Sequence, residues 1–412
     1  MTDPRALGVL LAVILLPLYL TGLDADGITH GDEAYWIQAG ARSAARVAAG
    51  DLRSPDWQTG AMASVLDVDH PTETAATRNP KLGALLIGAG VRLADAPLPA
   101  RWSRDYGFGR SVEWNRRNGF LPARETLRAG RLPVALLGVA GAVALYALLC
   151  GVVHRGWAFA VALLYATSPL VWTAARRAML DGPALAFSLG AVLAAAAVCR
   201  APRRLAPMLA AGLLCGAALA SKLNAAVLVP VLVLAFGLEA VRRRDPRLLG
   251  RAALAGVLAL AVFVGTNPTL YVAPVEGMLS MLRIGGEVGG LGRIFPGVSL
   301  PTLASRVEAA ARFLLVDGGV VGGRLGVPVD LLLLPAGAVL LVRRARGDAT
   351  ARLCALWLVC GVTAVCVWPP VRWDRYFLPA LPPIAVAEAL ALGAAGSLVA
   401  ERFARARTDG DA

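Results

Sequence analysis

The chain has 412 residues, 57% of them hydrophobic and 17% charged, with a mean hydropathy of +0.62 and a net charge of +13. A soluble protein of that length needs far more polar surface, so the composition excludes an ordinary globular enzyme and points to the bilayer. The basic excess does not mark a nucleic-acid binder, because the arginines sit in small clusters at the ends of apolar runs, without zinc-finger spacing or an aromatic-interleaved basic patch.

In chain order, the first apolar run covers residues 6–23. Arg5 precedes it, but no small-x-small cleavage site follows before Asp24, so it reads as a retained span rather than a secretory signal. Residues 33–49 follow as an amphipathic helix, with Ala34, Ile37, Ala41, Ala44, Ala45 and Ala48 on one face and Gln38, Arg42 and Arg46 on another, and are expected to lie along the membrane surface. Residues 82–98 are apolar but contain Arg92 and Asp95 and are broken by Pro97 and Pro99, which leaves too short a clean stretch to span. Residues 101–128 are polar and aromatic (Trp102, Tyr106, Phe108, Trp114, Phe120), like an insert at headgroup level. Nine further runs have spanning character: 131–150, 157–173, 178–198, 205–220, 223–239, 252–266, 327–342, 353–368 and 377–399. The expected architecture is an all-α polytopic membrane protein with about ten transmembrane helices, one domain over 1–412 and no separate soluble domain.

Charge decides the orientation. With an inside N-terminus and a re-entrant or interfacial 82–98, the inside connections hold Arg155, Arg200, Arg203, Arg204, Arg242–Arg244, Arg247, Arg251, Arg343, Arg344, Arg346 and Arg352. The tail adds Arg402, Arg405 and Arg407, while the short outside connections keep Arg176, Arg177, Lys222, Arg372 and Arg375. That is the asymmetry the positive-inside rule demands, and a crossing at 82–98 would invert it. Both termini are therefore expected in the cytoplasm. Long outside loops run over 24–130 and 267–326, the first carrying juxtamembrane helices.

The polar residues of interest fall on that outer side. Asp32 and Glu33 follow Gly31 at the start of a helix, where acids cap free amides and where one or two carboxylates also make a base or a metal site. Asp181 heads the span at 178–198. An ionisable group at membrane depth defaults to function, although Arg177, four residues earlier, offers a local ion pair. Arg176, Arg177 and Asp181 together can equally frame an anionic substrate. Only two lysines, Lys81 and Lys222, occur among 41 basic residues, both outside. Lys81, in Asn79-Pro80-Lys81-Leu82, suits a phosphate as a point charge or a lipid headgroup as an anchor. Arg372-Trp373-Asp374-Arg375-Tyr376 sets two arginines among aromatics at the mouth of the last span, part of which an interfacial aromatic belt explains. His30, His70 and His154 are isolated. The six cysteines, Cys150, Cys199, Cys215, Cys354, Cys360 and Cys366, lie within or beside apolar runs and read as buried thiols without disulfides.

The order of these motifs resembles a known family. An Asp32-Glu33 pair follows the first span, Asn79-Pro80-Lys81-Leu82 leads into a re-entrant stretch, and Arg131-Leu132-Pro133 opens the second span. Ser168-Pro169 with Arg176 and Asp181, Lys222 between two spans, Asn267-Pro268, and Arg375-Tyr376 before Leu378-Pro379 complete it. This is similar to the C-type, polytopic membrane glycosyltransferases, in the bacterial branch of protein O-mannosyltransferases and aminoarabinose transferases. It departs from the common pattern in Asn79, in the register of Lys81 and in the polar insert at 101–128. The resemblance implies a sugar donor on a polyprenyl phosphate, transfer with inversion to an acceptor hydroxyl, and a bacterial inner-membrane enzyme acting outside the cytoplasm. It implies Asp32 as base or metal contact, with Glu33 beside it, Lys81 as phosphate ligand, and Asp181 as the carboxylate heading the fourth span. Arg176, Lys222 and Arg375 are the further candidate donor-phosphate contacts. A divalent cation on Asp32 and Asp181, the donor sugar, and an acceptor of protein, lipid or glycan type stay open. The rival reading is a transporter or flippase of lipid-linked sugars, which should carry ionisable groups at the midplane and paired broken helices.

Overall fold

The computed structural model describes residues 3–54, 57, 78–98, 106, 110–283, 296–323 and 325–410, with only the backbone of 296 and 403–410. His70, Trp102 and Phe108 fall outside the described residues. All ten apolar runs are helical, and among the described residues the sole β feature is a bridge between Ser299 and Val371. The helices are α1 (Pro4–Leu20), α2 (Asp32–Ala48), α3 (Leu82–Leu93), α4 (Val112–Arg117), α5 (Arg124–Leu149), α6 (Arg155–Thr167), α7 (Pro169–Ala174) and α8 (Asp181–Arg200). They continue as α9 (Leu205–Ser221), α10 (Leu228–Arg243), α11 (Arg247–Gly265), α12 (Leu303–Ala311), α13 (Asp330–Ala345), α14 (Ala349–Val367) and α15 (Leu381–Gly410).

Among the described residues six stretches are long and apolar enough to cross a bilayer: α5, α8, Leu223–Arg243, α11, α14 and Leu378–Arg402. The chain is a multi-pass membrane protein. The other apolar helices are shorter, and α1 carries Pro17 within its last turn. The most enclosed helix is α8, packed among α5, α9, α10 and α14. Its 20 residues rise about 30 Å, so Asp181 and Arg200 mark opposite ends of the bundle. At the Arg200 end, Arg243 and Arg352 converge on the buried Glu239, and Arg200 donates to Thr350 Oγ1. The arginine-rich connections thus gather at one end, with Asp181, Lys222 and Arg375 at the other.

Three differences from expectation concern the segments that carry the site. Helix α2 buries Ile37 and Ala41 against α3, where Ala84 and Ile87 meet them, and Ala34 is buried too, whereas Ala45 and Ala48 are exposed. Its N-terminal half is therefore packed into the protein rather than laid along a membrane surface. The crossing is backbone-tight: a Cβ added at Gly88 would stand 2.0 Å from the Gly40 carbonyl oxygen. The 82–98 stretch is helical only over Leu82–Leu93 and turns away through Asp95 in a left-handed conformation, φ 48°. Helix α5 starts at Arg124, ahead of the apolar run, so Arg131 stands inside a helix, and Pro133 is accommodated there without ending it.

Candidate active site

Two adjacent residues at the start of α2 face different surroundings. Glu33 is fully buried and accepts hydrogen bonds from four donors. Arg131 Nε and Nη2 each reach it at 2.7 Å, the Ala178 amide at 2.7 Å and the His30 amide at 2.9 Å. The same guanidinium donates to the carbonyls of Leu23 and Ala25 and to Thr29 Oγ1. This bidentate pair pins the loop between α1 and α2 to α5 and to the head of α8. Every lone-pair direction of Glu33 is engaged in that task.

Asp32 points elsewhere. Its Oδ2 accepts from Arg375 Nη1 at 2.6 Å, and its backbone amide donates to His30 Nδ1 at 3.1 Å. Burial would raise the Asp32 carboxyl, but Arg375, His30 and Lys222 outweigh it and hold the group below the usual carboxylate range. Burial pulls Arg375 down, yet the Asp32 carboxylate prevails and keeps it above its ordinary value. Burial lowers His30, so the imidazole is the more readily neutral.

Asp181, the first residue of α8, pairs with Lys222 rather than with Arg177. Lys222 Nζ donates to Asp181 Oδ1 at 2.6 Å, while Arg177 Nε donates to the Ile28 carbonyl. Lys222 caps α9 at a break in helicity before the turn Leu223–Val227, which lets one extended residue aim its side chain across at α8. Burial lowers the Lys222 ammonium against the opposing pull of Asp181. The Tyr376 ring lies 5.3 Å from Lys222 Nζ and 6.0 Å from the Arg375 guanidinium, so one aromatic ring serves both cations. Burial pushes the Tyr376 phenol up to about 12.

Two cavities share Asp181, Arg375 and Leu378 as a common wall. One has Lys222, Asn224 and Arg375 at its polar part and runs along Leu185, Val227, Leu228 and Trp357. The other is lined by His30, Thr173, Arg177, Met179 and Asp374. The structure therefore brings together Asp32, Asp181, Lys222 and Arg375. Arg176 stands apart, bonded to the carbonyls of Tyr19 and Thr21 and stacked on Trp172 at 4.5 Å. Lys81 lines neither cavity. Its amide donates to Asn267 Oδ1 at 2.7 Å, its Nζ to the Asn79 carbonyl at 3.1 Å, and burial lowers it to about 7. Among the described residues no three metal-binding side chains cluster. Asp32 and Asp181 each already face a cation, a donor set that does not fit a divalent metal.

The sequence pointed to Asp32, Asp181, Lys222 and Arg375 but not to their pairing, and it missed Arg131 as the partner of Glu33. It also missed Asp330 and Glu388, both fully buried. Asp330 accepts from the amides of Val321 and Gly322, and the Glu388 carboxyl lies beside that of Asp330. An acid within the apolar N-terminal part of α15 was the available signal for Glu388.

Comparison with known proteins follows the same lines. Residues 114–268 match the family described as dolichyl-phosphate-mannose-protein mannosyltransferase, a stretch that holds Asp181 and Lys222 and leaves Asp32 and Arg375 outside. No curated protein sequence matches the chain. The crystal structure of ArnT from Cupriavidus metallidurans in the apo state is similar over 93% of this chain and 59% of its own, with a TM-score of 0.56 and 18% identity. The same protein bound to undecaprenyl phosphate aligns over 97% of this chain and 63% of its own, with a TM-score of 0.54 and 18% identity. The chain thus spans about six-tenths of the length of the ArnT structures it resembles. Family match and fold point the same way: residues 114–268 resemble that mannosyltransferase family, and the fold as a whole is that of ArnT.

Proposed function

We propose that the chain transfers a sugar from a polyprenyl-phosphate donor to an acceptor hydroxyl, outside the cytoplasm of a bacterial inner membrane. The observation that carries this is the joining of two cations, Lys222 and Arg375, to two carboxylates, Asp32 and Asp181, at the mouth of a cavity with apolar walls. A lipid-linked phosphate needs both parts, positive charge for the phosphate and an apolar path for the chain. The similarity to an ArnT bound to undecaprenyl phosphate supports that choice of donor.

In this reading the acceptor hydroxyl attacks the anomeric carbon from the side opposite the phosphate. The bond from acceptor oxygen to C1 forms, and the bond from C1 to phosphate oxygen breaks with inversion. Asp32 takes the hydroxyl proton, and the electron pair leaves on polyprenyl phosphate, whose charge Lys222 and Arg375 neutralise. Asp181 orients the acceptor from the wall that the two cavities share. Glu33 acts through its anchorage by Arg131, holding Asp32 at the helix start. Arg176 serves the same loop through its carbonyls, and Lys81 holds the entry to α3. All ten helical runs cross the bilayer, with both termini in the cytoplasm. The acceptor, of protein, lipid or glycan type, and the sugar are left open.

Purified protein given a labelled polyprenyl-phosphate sugar and candidate acceptors should release polyprenyl phosphate. Asp32→Asn should lower that turnover by about two to four powers of ten. Glu388, an acid buried beside Asp330 within a spanning helix, gives the translocator reading its one specific support. Movement of the intact donor across liposomes, without bond cleavage, would favour that rival.

A further inference from the structure

The arrangement at the cavity mouth poses a problem for the reaction it is proposed to perform. Asp32 and Arg375 are 2.6 Å apart, and Asp181 and Lys222 are 2.6 Å apart. Each carboxylate that must act on the acceptor is held by a cation that must act on the phosphate. A carboxylate paired at that distance is a poor base, because the pairing favours its charged form and lowers its proton affinity.

We propose that the donor phosphate exchanges partners with the two carboxylates: it draws Arg375 away from Asp32 and Lys222 away from Asp181, so that the base is released only once the donor is seated. This rests on the reading of the site given above. The pairs are suited to exchange rather than to permanent stapling. Arg375 reaches Asp32 through a single Nη1 contact, whereas Arg131 grips Glu33 through two. Side-chain exposure separates them too, at 18% and 21% for Arg375 and Asp32 against 0% and 0% for Arg131 and Glu33. Both cations line the cavity that runs along Leu185, Leu228 and Trp357, and each lies within cation–π reach of the Tyr376 ring. A monophosphate presents several acceptor oxygens and can serve both cations at once, which no single carboxylate here does.

The exchange is an equilibrium competition, so the carboxylates oppose donor binding and their removal should favour it. Affinity for polyprenyl monophosphate is to be measured on the purified full chain for wild type, Asp32→Asn, Asp181→Asn, Arg375→Gln and the double variant Asp32→Asn/Arg375→Gln. Asp32→Asn and Asp181→Asn should each bind about fivefold more tightly than wild type while losing turnover. Arg375→Gln should bind about tenfold more weakly. In the Arg375→Gln background, Asp32→Asn should change affinity no further, a coupling that a merely structural Asp32 would not produce. A variant that does not purify as a monodisperse species is replaced by the matching test on the second pair, Asp181→Asn with and without Lys222→Gln. Wild-type binding combined with unchanged or weaker binding by Asp32→Asn and Asp181→Asn would overturn the exchange alone. Failure of the wild type to bind polyprenyl phosphate would overturn the functional reading beneath it.

Discussion

Asp32 and Glu33 are neighbours on one turn, and their environments divide the work between them. Glu33, with no exposure and four donors, is a structural anion whose loss would strand the Arg131 guanidinium inside the protein. Breaking one side of a buried pair costs about 3–5 kcal/mol because the remaining charge is uncompensated. Glu33→Gln, which keeps the shape and removes the charge, should therefore lower thermal stability markedly in a detergent melting experiment. Asp32→Asn should change it little, since that pair is partly open to solvent. Equal melting temperatures for the two variants would refute the division. Sequence alone put both carboxylates at a helix start but could not rank them, because the deciding partners are Arg131 and Arg375, 98 and 343 residues away. For the same reason it offered Arg177 to Asp181, four residues off on a helical spacing. The fold breaks that spacing just before α8 and supplies Lys222 from across the bundle.

The position of Asp32 depends on α2, and α2 is set by its crossing with α3. Gly40 and Gly88 let the two backbones touch, a closeness that no side chain permits. Gly88→Val would put a branched side chain where the Gly40 carbonyl stands, forcing the helices apart and shifting the start of α2. Overpacking of this kind costs about 1–3 kcal/mol, and a shift of about 1 Å in a positioning element costs roughly a hundredfold in rate. Turnover should fall by about that factor, while Gly256→Val in α11, where nothing lies within 4 Å, should leave it unchanged. Normal activity in Gly88→Val would mean that this crossing does not position the site. The helices themselves were readable from apolar runs, because spanning length and hydropathy need no tertiary partner. Their ends were less so: α5 begins within polar residues, and the last span opens through two short turns, Asp374–Tyr376 and Leu378–Ala380, before α15. Proline at the second and third positions of α15 suits a helix start and fixes where those turns stop.

At the scale of the whole molecule, charge is sorted by end. Glu239, Arg243, Arg352 and Arg200 tie together the C-terminal ends of α8 and α10 and the N-terminal end of α14. Asp32, Asp181, Lys222 and Arg375 close the opposite end, where both cavities lie. The clustered arginines had already announced that polarity in the sequence, since short connections and charge counts are local properties. The convergence of Asp32, Asp181, Lys222 and Arg375 at one end of the bundle was legible only through a family resemblance. The account stands or falls on where a lipid phosphate binds. A structure of the protein in a lipid nanodisc with polyprenyl phosphate should place the phosphorus between Lys222 Nζ and the Arg375 guanidinium, with its chain along Leu185, Leu228 and Trp357. A phosphate found instead at the Glu239 and Arg352 end, or held elsewhere with both ion pairs intact, would contradict it.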